Sequence, residues 1–571
     1  MNHYPLFPDR RTLSLDGGWD FVWLGDHDVN GIDPSQVTYN ETMAVPGVFD
    51  TSPEHFGKRG VVVYRKRVTF SAGRNERLRL NIGGMGLFGR IWWDGTHISD
   101  HKIPYSSIAY DLPAGGSEHE LVILIDNRYD KISIPLFRPH FDLYGFGGIY
   151  RTVSVQSVPQ FAVQRVRIQT LSTTKGTVRL RMLFDGDIPA EVSGTYRFDS
   201  GADRAFREKP VNGMIDITAD VPGFRVWSPE KPHLHTVTVT TAEDRIVERF
   251  GIRTIETKDQ KILLNGEAVF LKGVNRHESH PEFGPVQNVH LMMDDIHLLR
   301  DLGCNFVRCV HYPQDQAFFD LCDEVGMLAW QESMGWNDTE NDAKDQAYID
   351  LQVKQTKLMV ENSINHPSII LWGFLNECCS DTAGGKVLYG KLAQTIRAVE
   401  PTLLVTFASS RHERDICLEF ADVIAMNIYP GWIGGHKDYT TPSIAWIEGR
   451  VNSIAEFTNR EDLKHKPFML GEIGACGLYG CHDRANAQWS EEFQAGYFAE
   501  AIRAVFANPR YIGIALWQFF DTRSFVNGGE VRVKPRGFNC AGLLDEYRRP
   551  KMAYDTVKKI FNDDRSGWRR K

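Results

Sequence analysis

The pattern of apolar and polar positions changes about halfway along the chain. Up to about residue 255 the apolar residues fall in short β-rich runs broken by turn signals. They are VVVYRKRVTF (61–70), RLRLNIGG (77–84), RIWWDGTHI (90–98), HELVILIDN (119–127) and IYRTVSVQSV (149–158), then FAVQRVRIQTL (161–171), GTVRLRMLFDG (176–186) and HTVTVTTA (235–242). Alternation with period two, as in Leu78, Leu80 and Ile82 against Arg77, Arg79 and Asn81, predicts half-buried antiparallel strands. A proline in QSVPQFAVQ separates two strand series, so we expect two β-sandwiches, at 1–158 and 159–255, the second of immunoglobulin-like size.

Beyond GIRTIETKDQKILLNGEAVF (251–270) helical periods enter. Met292, Ile296 and Leu299 recur at helical spacing and stop at Gly303, and Phe498, Ile502 and Val505 do so before Asn508-Pro509. Short apolar segments alternate with them: 268–277, 304–311, 326–333, 369–377, 403–410, 422–429, 467–474 and 511–521. Eight strands in a βα series predict a (β/α)8 barrel over 256–571; an open doubly wound sheet would want a Gly-rich phosphate turn after its first strand, and none is present.

The barrel segments begin apolar and end polar. Asn275, Arg276 and His277 close the first, Arg308 and His311 the second, Glu332 the third, and Asn376 and Glu377 the fourth. Asn427 and Tyr429 close the sixth, Glu472 the seventh, and Trp517 and Asp521 the eighth. Barrel active sites are built at the C-terminal strand ends, so these side chains are expected to converge on one mouth. Charged groups crowded there are costly unless paired or used. Two carboxylates from the fourth and seventh segments suit glycoside hydrolysis, in which one acid protonates the leaving oxygen and a second carboxylate attacks the anomeric carbon. Glu377 then needs surroundings that keep its proton, and Arg308 is a counter-charge for an ionised Glu472.

Charge and composition narrow the alternatives. The 571 residues carry a formal net charge of −8 without a basic run, which argues against a nucleic-acid partner. No stretch approaches a membrane span and no leader pattern opens the chain, so the expectation is a cytoplasmic protein. All nine cysteines lie at or beyond residue 304 with uneven spacing, so they read as reduced thiols; the adjacent Cys378 and Cys379 suit neither a relaxed disulfide nor a Cys-x-x-Cys metal site. A metal hydrolase on His277, His311 and Glu332 lacks any reinforcing close spacing, and no cofactor or metal is expected.

Along nearly the whole chain the sequence resembles glycoside hydrolase family 2. The resemblance is carried by LDGGWDF, GFGGIYR, FLKGVNRHE, VRCVHYP, ILWGFLNE, GEIGA, WSEEFQAGY and GFNCAGLLDEYRRPK, in that order. It implies a sugar-binding jelly roll, an immunoglobulin-like sandwich and a catalytic TIM barrel, acting on a terminal β-linked sugar with retention of configuration. It assigns Glu377 as acid/base, Glu472 as nucleophile and Asn376 as partner of the sugar 2-hydroxyl. His277 and His311 are implied to shape the substrate pocket, Trp517 to floor the sugar ring, and Tyr429 and Asn427 to line the wall by the nucleophile. Asp142, in HFDLYGFGGIYR, is implied to reach the sugar from the jelly roll. Homo-oligomers are common among such enzymes, and an oligomer is the expected state. A catalytically inactive carbohydrate-binding relative would not need Glu377, Asn376 and Glu472 together.

The stretches HFDLYGFGGIYR, NIYPGW and WSEEFQ are similar to the branch of the family that acts on β-glucuronides. That branch grips the uronate with an Asn-x-Lys triplet, and here the triplet is Asn539-Cys540-Ala541. A buried carboxylate without its cation is poorly compensated, so the first expectation is a β-galactosidase. The alternative is a β-hexuronidase, with Arg536 available for a differently placed carboxylate. Fucoside, arabinoside and galactofuranoside hydrolysis share the same signature.

Overall fold

A computed structural model describes residues 4–113, 115–129, 135–136, 144–431, 444–524 and 534–563. The first block folds into a four-stranded and a six-stranded antiparallel sheet facing each other. Strand Glu76–Ile82 shows why: Leu78, Leu80 and Ile82 are buried and the polar residues between them are partly exposed. Trp19, Tyr64 and Trp93 anchor the core between the sheets. The second block packs a three-stranded sheet on a four-stranded one around Val163, Leu180 and Val237. The alternating segments at 161–171, 176–186 and 235–242 are all strands here.

The third block is the barrel, with β1 (Leu271–Arg276), β2 (Phe306–Cys309), β3 (Leu328–Trp336), β4 (Ile369–Asn376), β5 (Ala408–Ser409), β6 (Ile424–Asn427), β7 (Phe468–Ile473) and β8 (Tyr511–Leu516). Their spatial order is β4-β3-β2-β1-β8-β7-β6-β5 with parallel pairing, and a parallel bridge between Trp372 and Val405 joins β4 to the segment leading into β5. Every residue of β1, β4, β7 and β8 is buried, because helices cover the outside while side-chain layers fill the inside. Helix α1 (Val289–Leu302) starts on Asn288, whose side chain accepts from Leu291 N, and ends at Gly303 with φ 87°, a left-handed stop open to glycine without penalty. The helix read from Phe498, Ile502 and Val505 runs Glu491–Ala507 and ends at Asn508.

One segment divides differently from the expectation. Val269, read as part of the first barrel strand, belongs to Glu267–Val269, the last strand of a three-stranded antiparallel sheet. Ile262 and Leu264 of that sheet join Trp227, Phe306, Leu328 and Trp330 in one apolar cluster at the N-terminal end of the barrel. The end opposite the mouth is therefore packed with side chains, and polar strand ends are confined to the mouth.

The jelly roll braces that mouth. Arg151 donates to Glu278 (2.8 Å) and to the Pro313 carbonyl (2.8 Å), and the Tyr105 ring stacks on Tyr312 at 3.9 Å. Glu278 and Tyr312 directly follow His277 and His311, so the first sandwich fixes the loops that carry both histidines.

Candidate active site

Arg308 organises the mouth. Its guanidinium is fully buried, lies over the Trp330 ring at 4.3 Å, and spends its donors on four strand ends. Nη1 meets Glu472 Oε1 at 2.7 Å and the Gly471 carbonyl and Asn275 Oδ1 at 3.2 Å each. Nη2 meets Asn376 Oδ1 at 2.8 Å and Glu332 at 3.0 and 3.1 Å, and Nε donates to Glu332 at 3.2 Å. A planar fork of five donors can tie two carboxylates and two amides at once, which a lysine cannot.

Around this hub the expected residues assemble. Tyr429 donates its hydroxyl to Glu472 Oε2. Asn427 Nδ2 donates to Glu377 Oε1 (2.8 Å) and to Asn376 Oδ1 (3.1 Å), linking the acid of β4 to the wall of β6. His311 sits with Nδ1 2.8 Å from Glu332 and Nε2 3.9 Å from Glu472, and its ring stacks on Trp517 with centroids 5.4 Å apart. His277 meets both His311 and Trp517 edge-on, at 5.5 and 5.7 Å.

The backbone is bent to present Glu377. Leu375 and Glu377 both have left-handed φ, 52° and 53°, a conformation costing a non-glycine residue about 1 kcal/mol or more. Glu377 is held in it by its N–H on the Ala408 carbonyl (3.0 Å) and by Arg411 on its own carbonyl (3.0 Å).

Several buried polar atoms here have no partner among the described residues: both ring nitrogens of His277, Nδ2 of Asn376 and Oδ1 of Asn427. Orphaned buried donors and acceptors are rare, and a group of them beside two carboxylates marks a place for a hydroxyl-rich ligand. Burial, with His311 and Arg308 nearby, pulls the His277 imidazole well below its usual range, so it stands neutral and can both donate and accept.

Electrostatics separates the carboxylates. Glu332 is held below the usual carboxylate range, since Arg308 and His311 together outweigh its burial. Glu472 is pushed up to about 8: burial raises it most, Arg308 opposes, the charge of Glu377 raises it further, and Tyr429 opposes. The charge of Glu377 is one of the causes that raise Glu472, so ionisation of Glu472 is favoured when that charge is neutralised.

The remaining expectations are distributed around the pocket. Ala541 is fully buried and packs with Val310, Cys476 and Trp517, so the position of the missing lysine lies in the wall beside Trp517. Asn539 is buried, its Oδ1 accepting from Ala541 N (3.2 Å) and its carbonyl from Gln518 (3.3 Å). Arg536 is committed to Glu546 through bonds of 2.8 and 3.3 Å. Asp142 lies outside the described residues. Cys378 and Cys379 are buried packing residues whose thiols burial pushes up, Cys379 to about 11. His277, His311 and Glu332 do not form a compact ligand set; among the described residues the groups that could hold a metal lie elsewhere, at Glu41, Glu54 and His55 and at Asp320, Asp323 and His366.

Two strand-end residues were under-read from the sequence. Glu332 is not a ligand but the second anion of the Arg308 hub. Asn275 spans the barrel interior, its Nδ2 donating to the carbonyls of Gly471, Ala515 and Leu516. Both carried the same signal as the others, a polar residue closing an apolar segment.

A TIM barrel with this mouth, set behind two β-sandwiches, has the form of a glycoside hydrolase. Residues 255–563 match the model described as "Glycosyl hydrolases family 2, TIM barrel domain", and residues 157–253 match "Glycosyl hydrolases family 2". The chain belongs to glycosyl hydrolase family 2. It is 26% identical to a beta-glucuronidase of Streptococcus agalactiae, with 97% of each chain covered. Among solved structures it resembles a GH2 beta-galacturonidase from Eisenbergiella tayi bound to galacturonate, with 28% identity, a TM-score of 0.86 and 98% of each chain covered. The glycerol-bound form of the same enzyme gives 29% identity, a TM-score of 0.86 and coverage of 98% and 97%.

Proposed function

We propose that the protein is a retaining exo-β-hexuronidase that releases terminal β-linked uronic acids, with β-galacturonides preferred over β-glucuronides. The observation that carries the retaining chemistry is the pairing of Glu377 and Glu472 across Asn376, Asn427 and Arg308, with Tyr429 on the second carboxylate. In the first step ionised Glu472 attacks the anomeric carbon while Glu377 gives its proton to the departing oxygen. In the second, Glu377 takes a proton from water, which attacks the same carbon and releases Glu472. Asn376 Nδ2, without a partner among the described residues, donates to the sugar 2-hydroxyl as positive charge develops on the ring.

The expectation of a neutral β-galactoside gives way here to its alternative. The relatives named above act on uronides, and they span nearly the whole chain. Ala541 in the place of the triplet lysine disfavours the glucuronide arrangement and favours an epimer whose recognition is built differently. A panel of aryl β-galacturonide, β-glucuronide, β-galactoside, β-fucoside and α-arabinoside tests the assignment; turnover of the galactoside without either uronide sinks it. A 2-fluoro aryl glycoside of the best sugar is expected to label a single peptide at Glu472, and labelling elsewhere refutes the nucleophile.

A further inference from the structure

Seven barrel strands end in side chains of the mouth. The fifth, β5, runs on into Ser410-Arg411-His412, and this loop holds the backbone around Glu377. Arg411 donates from Nη2 to the Glu377 carbonyl and from Nε to the Cys378 carbonyl, at 3.0 Å each, with the Asp381 carboxylate 3.6 Å from Nε. Two successive carbonyls match the two-donor edge of a guanidinium, which a lysine does not offer. The Glu377 N–H donates to the carbonyl of Ala408 in β5 (3.0 Å); Ser380 gives its hydroxyl to Asp415 (2.5 Å) and accepts from Ile416 N on its carbonyl (3.0 Å). The turn 377–380 is therefore seated on the β5 loop at both ends.

His412 reaches the acid by a second route. Arg450, in the helix Trp446–Phe457, can only donate, so its 2.9 Å contact makes His412 Nδ1 an acceptor and leaves the ring proton on Nε2. Nε2 then donates to the Asn427 carbonyl at 2.8 Å, and Asn427 Nδ2 donates to Glu377 Oε1 at 2.8 Å. Burial, helped by Arg450 and Arg414, keeps the imidazole below its usual range, as this neutral tautomer requires. One residue of the loop thus holds the backbone of the acid, and the next holds the residue that orients its carboxyl.

Such support matters because the turn is not self-sustaining. Leu375, Glu377 and His412 are all non-glycine residues with left-handed φ, 52°, 53° and 52°, and strain of this kind persists only where surrounding contacts fix it. A general acid needs its proton within hydrogen-bond reach of the departing oxygen, and a displacement of about 1 Å costs about a hundredfold in rate.

We infer that Arg411 and His412 are positioning residues for proton transfer by Glu377, the first through its backbone and the second through Asn427. This rests on the acid/base reading of Glu377, and the test separates the two. The kcat/KM is measured for 2,4-dinitrophenyl and p-methoxyphenyl β-glycosides of whichever sugar the substrate panel ranks first. The proteins are the wild type, Arg411→Met, Arg411→Lys, His412→Phe, His412→Gln, Glu377→Ala and the double variant of Glu377→Ala with Arg411→Met. Dinitrophenolate departs without a proton, so only the p-methoxyphenyl substrate reports the acid.

Arg411→Met is expected to lower kcat/KM about a hundredfold for the p-methoxyphenyl substrate and less than about threefold for the dinitrophenyl one. On the latter, kcat and KM fall together as the glycosyl-enzyme waits for its base, and azide restores kcat. His412→Phe gives the same split at about tenfold. Arg411→Lys and His412→Gln each keep a donor and recover part of the loss, and they carry the same readout should the other two fail to fold. In the Glu377→Ala background Arg411→Met adds no further loss, because it acts through that carboxyl. Equal losses on both leaving groups, an unchanged p-methoxyphenyl rate in all four single variants of the loop, or a full further loss on top of Glu377→Ala overturns the inference and leaves Glu377 as the acid. A Glu377→Ala protein without a leaving-group split overturns the acid/base reading itself.

Discussion

Replacing Arg308 by Met removes the guanidinium that pairs with both Glu332 and Glu472, leaving them only the His311 imidazole. Met fills similar space beside Trp330 but takes the guanidinium charge away from two buried carboxylates. With charge centres about 4 Å apart and an effective dielectric of about 20, the Arg308–Glu472 attraction is on the order of 4 kcal/mol. At about 1.4 kcal/mol per pH unit, its loss moves the ionisation of Glu472 upward by roughly three units. Since Glu472 already sits at about 8, its ionised fraction at neutral pH falls steeply. We expect kcat/KM for an activated aryl glycoside at pH 7 to drop about a thousandfold, with the acid limb of the pH profile displaced to higher pH. Breaking a buried pair from one side also costs about 3 to 5 kcal/mol of stability, so a lower melting temperature should accompany it. Arg308→Lys keeps a charge but not the fork and should lie between the two. A folded Arg308→Met protein whose acid limb is unmoved and whose kcat/KM stays within tenfold of the wild type would refute the electrostatic account of Glu472.

Four further outcomes follow from the same geometry. Glu472→Gln should abolish turnover and gain relative stability in alkali: the folded wild type keeps the Glu472 proton up to about 8, the unfolded chain loses it near 4.5, so wild-type stability falls as pH rises through that window while the variant lacks this slope; melting curves from pH 5 to 9 that run parallel contradict it. Glu377→Ala should slow poor leaving groups far more than good ones and be rescued by azide, giving a β-glycosyl azide by nuclear magnetic resonance; an α-azide rules out the retaining order of events. Asn376→Ala should lower kcat/KM about a hundredfold for the 2-hydroxy substrate but little for its 2-deoxy analogue, and equal losses on both remove Asn376 from contact with that hydroxyl. In native protein, iodoacetamide should modify the partly exposed Cys481 well before Cys378 or Cys379, and early labelling of either of the last two disproves their packing role.

The fold was legible because its signals are local. Eight apolar segments gave eight barrel strands, and Asn288 and Gly303 bounded a helix as their chemistry requires. Strand bounds were over-extended, most at the first, fifth and eighth segments: Val269 lies in the antiparallel sheet beneath the barrel, 403–410 is strand only at Ala408–Ser409, and 511–521 stops as a strand at Leu516. Glu377 and Glu472 were legible for the same reason, as acids ending apolar runs that a barrel must gather at one end. Composition and motif order were enough to bring them to one family.

Tertiary packing decided what each polar strand end does. Arg276 and Arg308 look alike in sequence, yet Arg276 turns outward to Asp295, Gln287 and Gln314, while Arg308 turns inward to Glu332 and Glu472. Strand pleat sets the side of the sheet, and a buried guanidinium then persists only where carboxylates and amides meet it. Arg536, read from the sequence as available for a carboxylate, is taken by Glu546 in the fold. Sequence by itself determined the barrel and its two acids, because hydrophobic period and residue type act locally. The partner of each charge was left to the folded structure, because desolvation is balanced only between groups distant in the chain that packing brings within hydrogen-bond reach.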